Sequence, residues 1–188
     1  MFSKSKAQNG IGKKVILSKV NMQVNLLKTY NQEGVLNNDD FEKINGYIKE
    51  LIKVESIQIL IGYEGRIAKS YFYLLNIILT NREFCFRGRS KNPAKDPFNT
   101  LLNIGYNLLC CYIRGALKKH GLNMGIGFLH TNRTNHASLV SDLMEEWKPI
   151  IVDDVVIQMV ESKIFSVHDF SRSSEGLLLL NLSKRRLF

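Results

Sequence analysis

The apolar positions of this chain recur every three to four residues, the spacing of one helix face, through each of its long segments. Leu17, Val20, Val24 and Leu27 fall on one side of a helix expected to begin at Lys13 and to close before Gly34. Asn38 or Asp39 suits the N-cap of a second helix, with Phe41, Ile44, Ile48 and Leu51 along one face. The segment from Ser56 to Leu79 is apolar on more than one face, which predicts a central, buried third helix. From Arg82 to Asp96 the periodicity stops, and Pro93 and Pro97 punctuate a loop. Pro97 fits the first turn of a fourth helix, where its missing N–H costs nothing. Leu101, Ile104, Leu108 and Tyr112 are the expected inner face of that helix and Gly121 its end.

Gly125 to His130 reads as a turn or extended piece, Thr131 to Ala137 as a polar loop, and Ser138 to about Trp147 as another helix. Pro149 is expected to restart the chain into a helix with Ile151, Val155, Met159 and Ser162 along one side. Leu177 to Leu180 is an apolar run with weak helix signals. The predicted fold class is therefore mainly α, with at least five helices. Residues 1–12 are expected as a flexible basic arm, and 13–188 as one helical domain.

Charge changes this picture. The chain of 188 residues carries a net charge of +9, which points to a polyanionic partner, whereas its hydrophobic fraction of 45% argues for an ordinary packed core. Lys4, Lys6, Lys13, Lys14, Lys19 and Lys28 meet no acid in the first thirty residues. Arg82, Arg87, Arg89, Lys91 and Lys95 crowd the loop after the third helix, against Glu83 and Asp96. Cys85, Cys110 and Cys111 have neither metal-ligand spacing nor a disulfide framework. The basic N-terminus lacks the apolar core of a signal peptide, and Tyr71 to Leu79 is far too short to span a bilayer. A cytoplasmic protein with no membrane partner is expected.

Against this basic background, seven acids stand between Ser141 and Phe170, with Lys148 and Lys163 as the bases. Such a patch is what metal-dependent chemistry on nucleic acid needs: carboxylates hold a divalent cation while bases hold phosphates. A solvated acidic helix face is the competing reading. Asp142 and Glu145 lie three apart and should share a helix face. His130, just upstream, offers an imidazole nitrogen. Glu64 interrupts the most apolar helix, where an unpaired carboxylate is costly, and neither Arg66 nor Lys69 is spaced to face it. Gly10 to Lys14 makes a poor phosphate loop, there is no nucleophile elbow, and His136 reads as a solvent-exposed loop residue.

Three stretches resemble the CRISPR-associated spacer-acquisition integrases. Gly62-Tyr-Glu64-Gly65-Arg-Ile-Ala68-Lys-Ser-Tyr71-Phe72 is similar to that family's G-x-E-G-x-x-A-x-x-Y-F motif. Phe86 to Asn99 looks like its basic segment ending in K-D-P-x-N, and Asn92 and Ala94 stand where the family has Arg and Pro. Phe128-Leu129-His130-Thr131, then Ser138-Leu139, Asp142 to Glu146 and Lys148-Pro149, resemble its F-L-H-T, S-L, D-L-M-E-E and R-P series in order. Near Lys19 the family often has Lys-x-x-Asn-Gln; here Met22 precedes Gln23.

The resemblance implies a divalent-metal-dependent DNA integrase and endonuclease. Its metal ligands would be Glu64, His130 and Glu145, with Asp142 as a further catalytic position and Mg²⁺ or Mn²⁺ as the ion. Arg66, Arg87, Arg89, Lys91 and Lys95 would contact DNA. The implied partners are protospacer and repeat-array DNA, further copies of the chain as a dimer or dimer of dimers, and a small second adaptation protein. The family's N-terminal β-domain is expected to be absent and its C-terminal extension curtailed. The alternative is a truncated, catalytically impaired DNA-binding or assembly module of the same family.

Overall fold

The computed structural model describes residues 2–130, 137–174 and 178–187, with side chains from Asn9 onward. Six α-helices make up most of it: α1 Phe2–Tyr30, α2 Asn38–Lys53, α3 Ile57–Ile78, α4 Pro97–Lys119, α5 Ser138–Trp147 and α6 Asp154–Glu161. A three-residue 3₁₀ turn, Arg82–Phe84, follows α3, and a six-residue π-helical stretch, Lys148–Asp153, joins α5 to α6. The strands β1, Phe170–Arg172, and β2, Leu178–Leu180, pair antiparallel with Phe170 opposite Leu180. The mainly α expectation holds.

α3 runs through the middle, as its two-sided apolar pattern requires. Leu60, Ile67, Tyr71, Phe72, Leu74, Leu75 and Ile78 are buried, with α1 and α2 packed against the helix. α1 also lies along α5 and the π turn, and α4 covers α5, α6 and β2. Phe72 of α3 meets Phe86 edge-on, and Phe86 stacks on Phe98, the two rings 4.5 Å apart and nearly parallel. Offset stacking of this kind fixes the start of the basic loop against the core.

Five local expectations are corrected. Residues 2–12, expected as an arm, are the first turns of α1. Asn9 Nδ2 donates to the Glu55 carbonyl at 2.9 Å, and Lys13 Nζ, just beyond, to that of Val54 at 3.0 Å, so from Asn9 onward α1 has tertiary partners that composition does not reveal. The α2 N-cap is Asn37, one residue earlier than expected. Its side chain accepts from the N–H groups of Asp39 and Asp40, and Asp40 accepts in return from the Asn37 N–H, a reciprocal capping box.

On α4 the buried face is Phe98, Leu101, Leu102, Gly105 and Leu109, while Leu108 and Tyr112 are 40% and 79% exposed. Gly105 sets that rotation: a Cβ there would lie 2.6 Å from Val152 Cγ1, so α4 meets the π turn along a face without a side chain.

Pro149 does not restart a helix. It sits in the first turn of the π stretch, where the wider turn accommodates its ring and missing donor, and the Asp154 N–H reaches back to the Pro149 carbonyl. That i→i+5 bond adds a residue to the turn and rotates α6 relative to an unbroken helix. Val152, Val156 and Val160 are therefore buried, whereas Ile151 and Val155, expected inside, are 47% and 37% exposed. Finally, Leu178 to Leu180 is a strand rather than helix, because pairing with β1 and burial of Leu180 outweigh a weak local preference. No helix among the described residues is long and apolar enough to cross a membrane.

Candidate functional site

The buried side of α1 is not wholly apolar. Between Ile16, Val20 and Val24 it carries Lys19 and Gln23, four residues apart and 6% and 3% exposed. Lys19 Nζ donates to Glu64 Oε1 on α3 through a very short contact and to Glu145 Oε2 on α5 at 2.5 Å. Lys148 Nζ reaches the other Glu145 oxygen at 2.5 Å. Glu64 is thus paired after all. The cation comes from α1, and spacing within α3 could not reveal it.

Electrostatics at this junction follow from burial set against pairing. Burial pushes the Glu145 carboxyl up, but the Lys19 and Lys148 ammonium groups outweigh it and hold the carboxyl at about 2, below its ordinary 4.5. Burial likewise pulls Lys19 down, and Glu145 and Glu64 more than compensate, so its ammonium is held charged well above the usual range. Lys148 stays below its ordinary value: burial lowers it, Glu145 raises it, and the neighbouring Lys19 charge lowers it again.

Asp142 does different work from Glu145. Its side chain is fully buried, and its carboxylate accepts from the backbone N–H groups of Phe128, Leu129 and His130 at 2.5, 2.8 and 3.0 Å. A fourth bond links it to His130 Nδ1 at 2.5 Å. Although three positions from Glu145, Asp142 turns to the 127–130 loop rather than into the cavity. Burial raises its carboxyl, but the His130 ring and the three N–H groups prevail and lower it. Gly127 permits the approach: a Cβ there would stand 2.5 Å from Asp142 Oδ2 and 3.0 Å from the Ser138 carbonyl carbon. A carboxylate acceptor fixes the proton on Nδ1 and leaves Nε2 as the ring nitrogen able to take a ligand.

Lys19, Gln23, Glu64, His130, Glu145 and Lys148 all line one cavity of about 430 Å³. Lys69, Arg89, Lys91, Tyr106 and Asp153 complete its polar wall. Beneath it, Asp153 accepts from Tyr106 Oη at 2.5 Å and Tyr71 Oη at 3.1 Å. The Tyr106 ring then serves two cations, with Arg89 Cζ 5.1 Å and Lys148 Nζ 5.7 Å from its centroid. Burial raises the Asp153 carboxyl to about 6, against the lowering effect of both tyrosine hydroxyls. A carboxyl so raised favours folding when protonated, so its contribution is greatest below about pH 4 and is lost as pH rises towards 6. Replacing Asp153 by Asn should therefore shift stability relative to the wild type by about 3 kcal/mol in the variant's favour between about pH 4 and pH 8. Denaturant titrations in EDTA at the two pH values would show it; an offset independent of pH would contradict it.

The basic residues divide. Arg87 and Lys95 are exposed and line a neighbouring cavity of about 700 Å³ that shares Lys69 and Arg89 with the first. Lys91 is exposed at the rim of the first cavity. Arg66 is exposed in a third cavity with Lys43 and Lys69, its Cζ 5.4 Å from the Tyr63 ring centroid. Arg89 is turned inward, donating to Asn99 Oδ1 at 2.9 Å and Asn103 Oδ1 at 2.6 Å, and so anchors the loop. If these cavities receive DNA, replacing Arg87 and Lys95 by Ala should weaken binding and reduce the salt slope by about 2, while Arg89→Ala should chiefly lower stability. An unchanged slope in the double variant would remove the loop from the contact surface.

The donor set fits a hard divalent cation. Two carboxylates already converge on one positive charge, the His130 imidazole lines the same cavity, and among the described residues the buried Gln23 Oε1 has no hydrogen-bond partner, an acceptor that ion-bound water could satisfy. The carboxylates close on Lys19 rather than on each other and His130. Among the described residues no three His, Cys, Asp or Glu side chains are gathered tightly enough to hold an ion as they stand. The Thr131–Ala137 loop, with His136, lies outside the described residues up to position 136.

Residues 1–188 match the family model of the CRISPR associated protein Cas1, and the chain belongs to that family. It is 42% identical over 120 residues to the CRISPR-associated endonuclease Cas1 of Mycobacterium tuberculosis, an alignment covering 64% of this chain and 35% of the relative. A casposase bound to integration product superposes with a TM-score of 0.84 at 28% identity, over 97% of this chain and 51% of that one. The match to a partial Cas6-RT-Cas1–Cas2 complex has a TM-score of 0.85 at 25% identity, over 96% of this chain and 55% of the other. The chain therefore spans between a third and about half of the length of these proteins.

Proposed function

We propose that this chain is a metal-dependent DNA integrase of CRISPR spacer acquisition, in which Glu64, Glu145 and His130 Nε2 hold one Mg²⁺ or Mn²⁺. The observation that carries the reading is the convergence of Glu64 and Glu145, from α3 and α5, on a single cation in a cavity that His130 also lines. When bound, the ion supplies positive charge that polarises the target phosphate and stabilises charge developing in the displacement.

The rest falls to the protein. Asp142 keeps the His130 ring in one tautomer and one orientation. Lys69, Lys91 and Lys148 offer charge to phosphate oxygens from the cavity wall. The nucleophile is the 3′-OH of an incoming DNA end. Its oxygen bonds to the target phosphorus as the bond to the target's 3′ oxygen breaks, and that oxygen leaves as a new 3′-OH. Water in place of the DNA end makes the same site an endonuclease. The casposase and the Cas1–Cas2 assembly, which match over almost the whole chain, support DNA and a second adaptation protein as partners.

The test is strand transfer of a labelled duplex with free 3′-OH ends into a supercoiled plasmid. Joined product in Mn²⁺ and none in EDTA is the expected result. DNA binding without joining under either condition would favour a binding or assembly module.

A further inference from the structure

Formal charge at the floor of the cavity balances without any added ion. Glu64 and Glu145 contribute two negative charges, and Lys19 and Lys148 two positive ones, within a continuous chain of contacts. Lys148 occupies one oxygen of Glu145 and leaves Glu64 alone. Lys19 is the group that joins the two carboxylates, and it does so from a third helix, with its side chain only 7% exposed. A dication drawn to the same oxygens meets an ammonium already there, and the two cannot share them.

We propose that Lys19 is a resident counter-cation: it holds Glu64 and Glu145 together in the ion-free protein, and a divalent ion entering between them displaces it towards a substrate phosphate. This rests on the reading that Glu64 and Glu145 are ion ligands. Chemistry favours lysine for the task. An ammonium is a compact charge on a flexible four-carbon stem, able to withdraw along its own axis, where a guanidinium would stay locked in a planar fork. Two carboxylates left facing each other without a cation would repel, so the bridge keeps the ligand pair preorganised at no cost in net charge. Displacement also links the ion to the substrate. A released ammonium gains little in an apolar interior but much beside a phosphate oxygen, so ion and DNA bind more tightly together than separately.

The experiment is a Mn²⁺ titration of the whole chain without DNA, followed by the EPR signal of free Mn²⁺, on wild type, Lys19→Met and Glu64→Gln. Melting temperatures in EDTA are measured alongside. The expected result is Mn²⁺ binding at least about tenfold tighter in Lys19→Met than in wild type. The variant should also melt lower in EDTA and regain stability as Mn²⁺ is added. Lys19→Gln, which keeps a hydrogen-bonding end without the charge, should bind Mn²⁺ more tightly too and serves if the methionine variant does not fold. Equal or weaker binding in both Lys19 variants, with the site still abolished by Glu64→Gln, would overturn the displacement and leave the ion site standing. Absence of Mn²⁺ binding in every protein, including wild type, would remove the ion site itself and this inference with it.

Discussion

Replacing Asp142 by alanine is expected to lower folding stability by roughly 3–5 kcal/mol, the range found when one partner of a buried charged network is removed. Four bonds end on this fully buried carboxylate, and three come from consecutive backbone N–H groups that have to change conformation or remain unsatisfied once it is gone. The loss falls first on the 127–130 loop and therefore on the orientation of His130. Asp142→Asn should lose less, since an amide keeps one acceptor oxygen. The contribution has a definite pH dependence. Asp142's carboxyl is depressed in the folded protein, so its stabilisation is present above the unfolded value near 3.8 and fades as pH falls through the lower folded value. Urea titration at about pH 7 and pH 3 measures both effects; a loss under about 1 kcal/mol at neutral pH would mean the loop is held by other contacts.

Glu64→Gln is expected to leave the fold nearly untouched and to reduce strand transfer about a thousandfold or more, equivalent to roughly 4 kcal/mol of transition-state stabilisation. Its side chain is 21% exposed, and glutamine still offers Lys19 an oxygen, so stability has little to lose. What disappears is the negative charge that a dication requires. DNA affinity should survive, because Lys69, Lys91, Arg87 and Lys95 are unaffected. Glu145→Gln should show the same loss of activity with a larger loss of stability, since that carboxylate is more deeply buried and answers two lysines. Single-turnover strand transfer and a thermal melt on the same preparations separate the two effects. Full Mn²⁺-dependent activity in Glu64→Gln would show that the reaction does not depend on this carboxylate.

Much of this architecture is legible in the chain. Helix periodicity locates α2 to α5, and the helix expected from about Ser138 to Trp147 is α5, because its apolar spacing and flanking polar loop agree. The failures share a cause. Leu108 and Tyr112 fit a helix face as well as Gly105 and Leu109 do, and only the approach of Val152 selects between them. The π turn shifts the helical phase without leaving a signature that fixed periodicity can detect, so a regular pattern turns Ile151 and Val155 inward.

The site shows the same division. Glu64 stands out as an acid in an apolar helix, and His130, Asp142 and Glu145 as a cluster, with family resemblance supplying their roles. Sequence reasoning misses Lys19 as a partner although a signal exists: Lys19 and Gln23 interrupt the apolar side of α1 at helical spacing. Its carboxylates lie 45 and 126 residues away, and a long-range pair of that kind is fixed by packing rather than by any local pattern. Asp153 is one of the seven acids of the patch, but its pairing with Tyr106 and Tyr71 escapes notice for the same reason, as do the bonds that Arg89, expected at DNA, makes to Asn99 and Asn103.

The measurement that bears most directly on the central claim is anomalous scattering from crystals of this chain grown with Mn²⁺. The account predicts a single strong peak bonded to Glu64, Glu145 and His130 Nε2, with Asp142 still on Nδ1. A peak elsewhere, or a site that remains closed on Lys19 at saturating Mn²⁺, would contradict it.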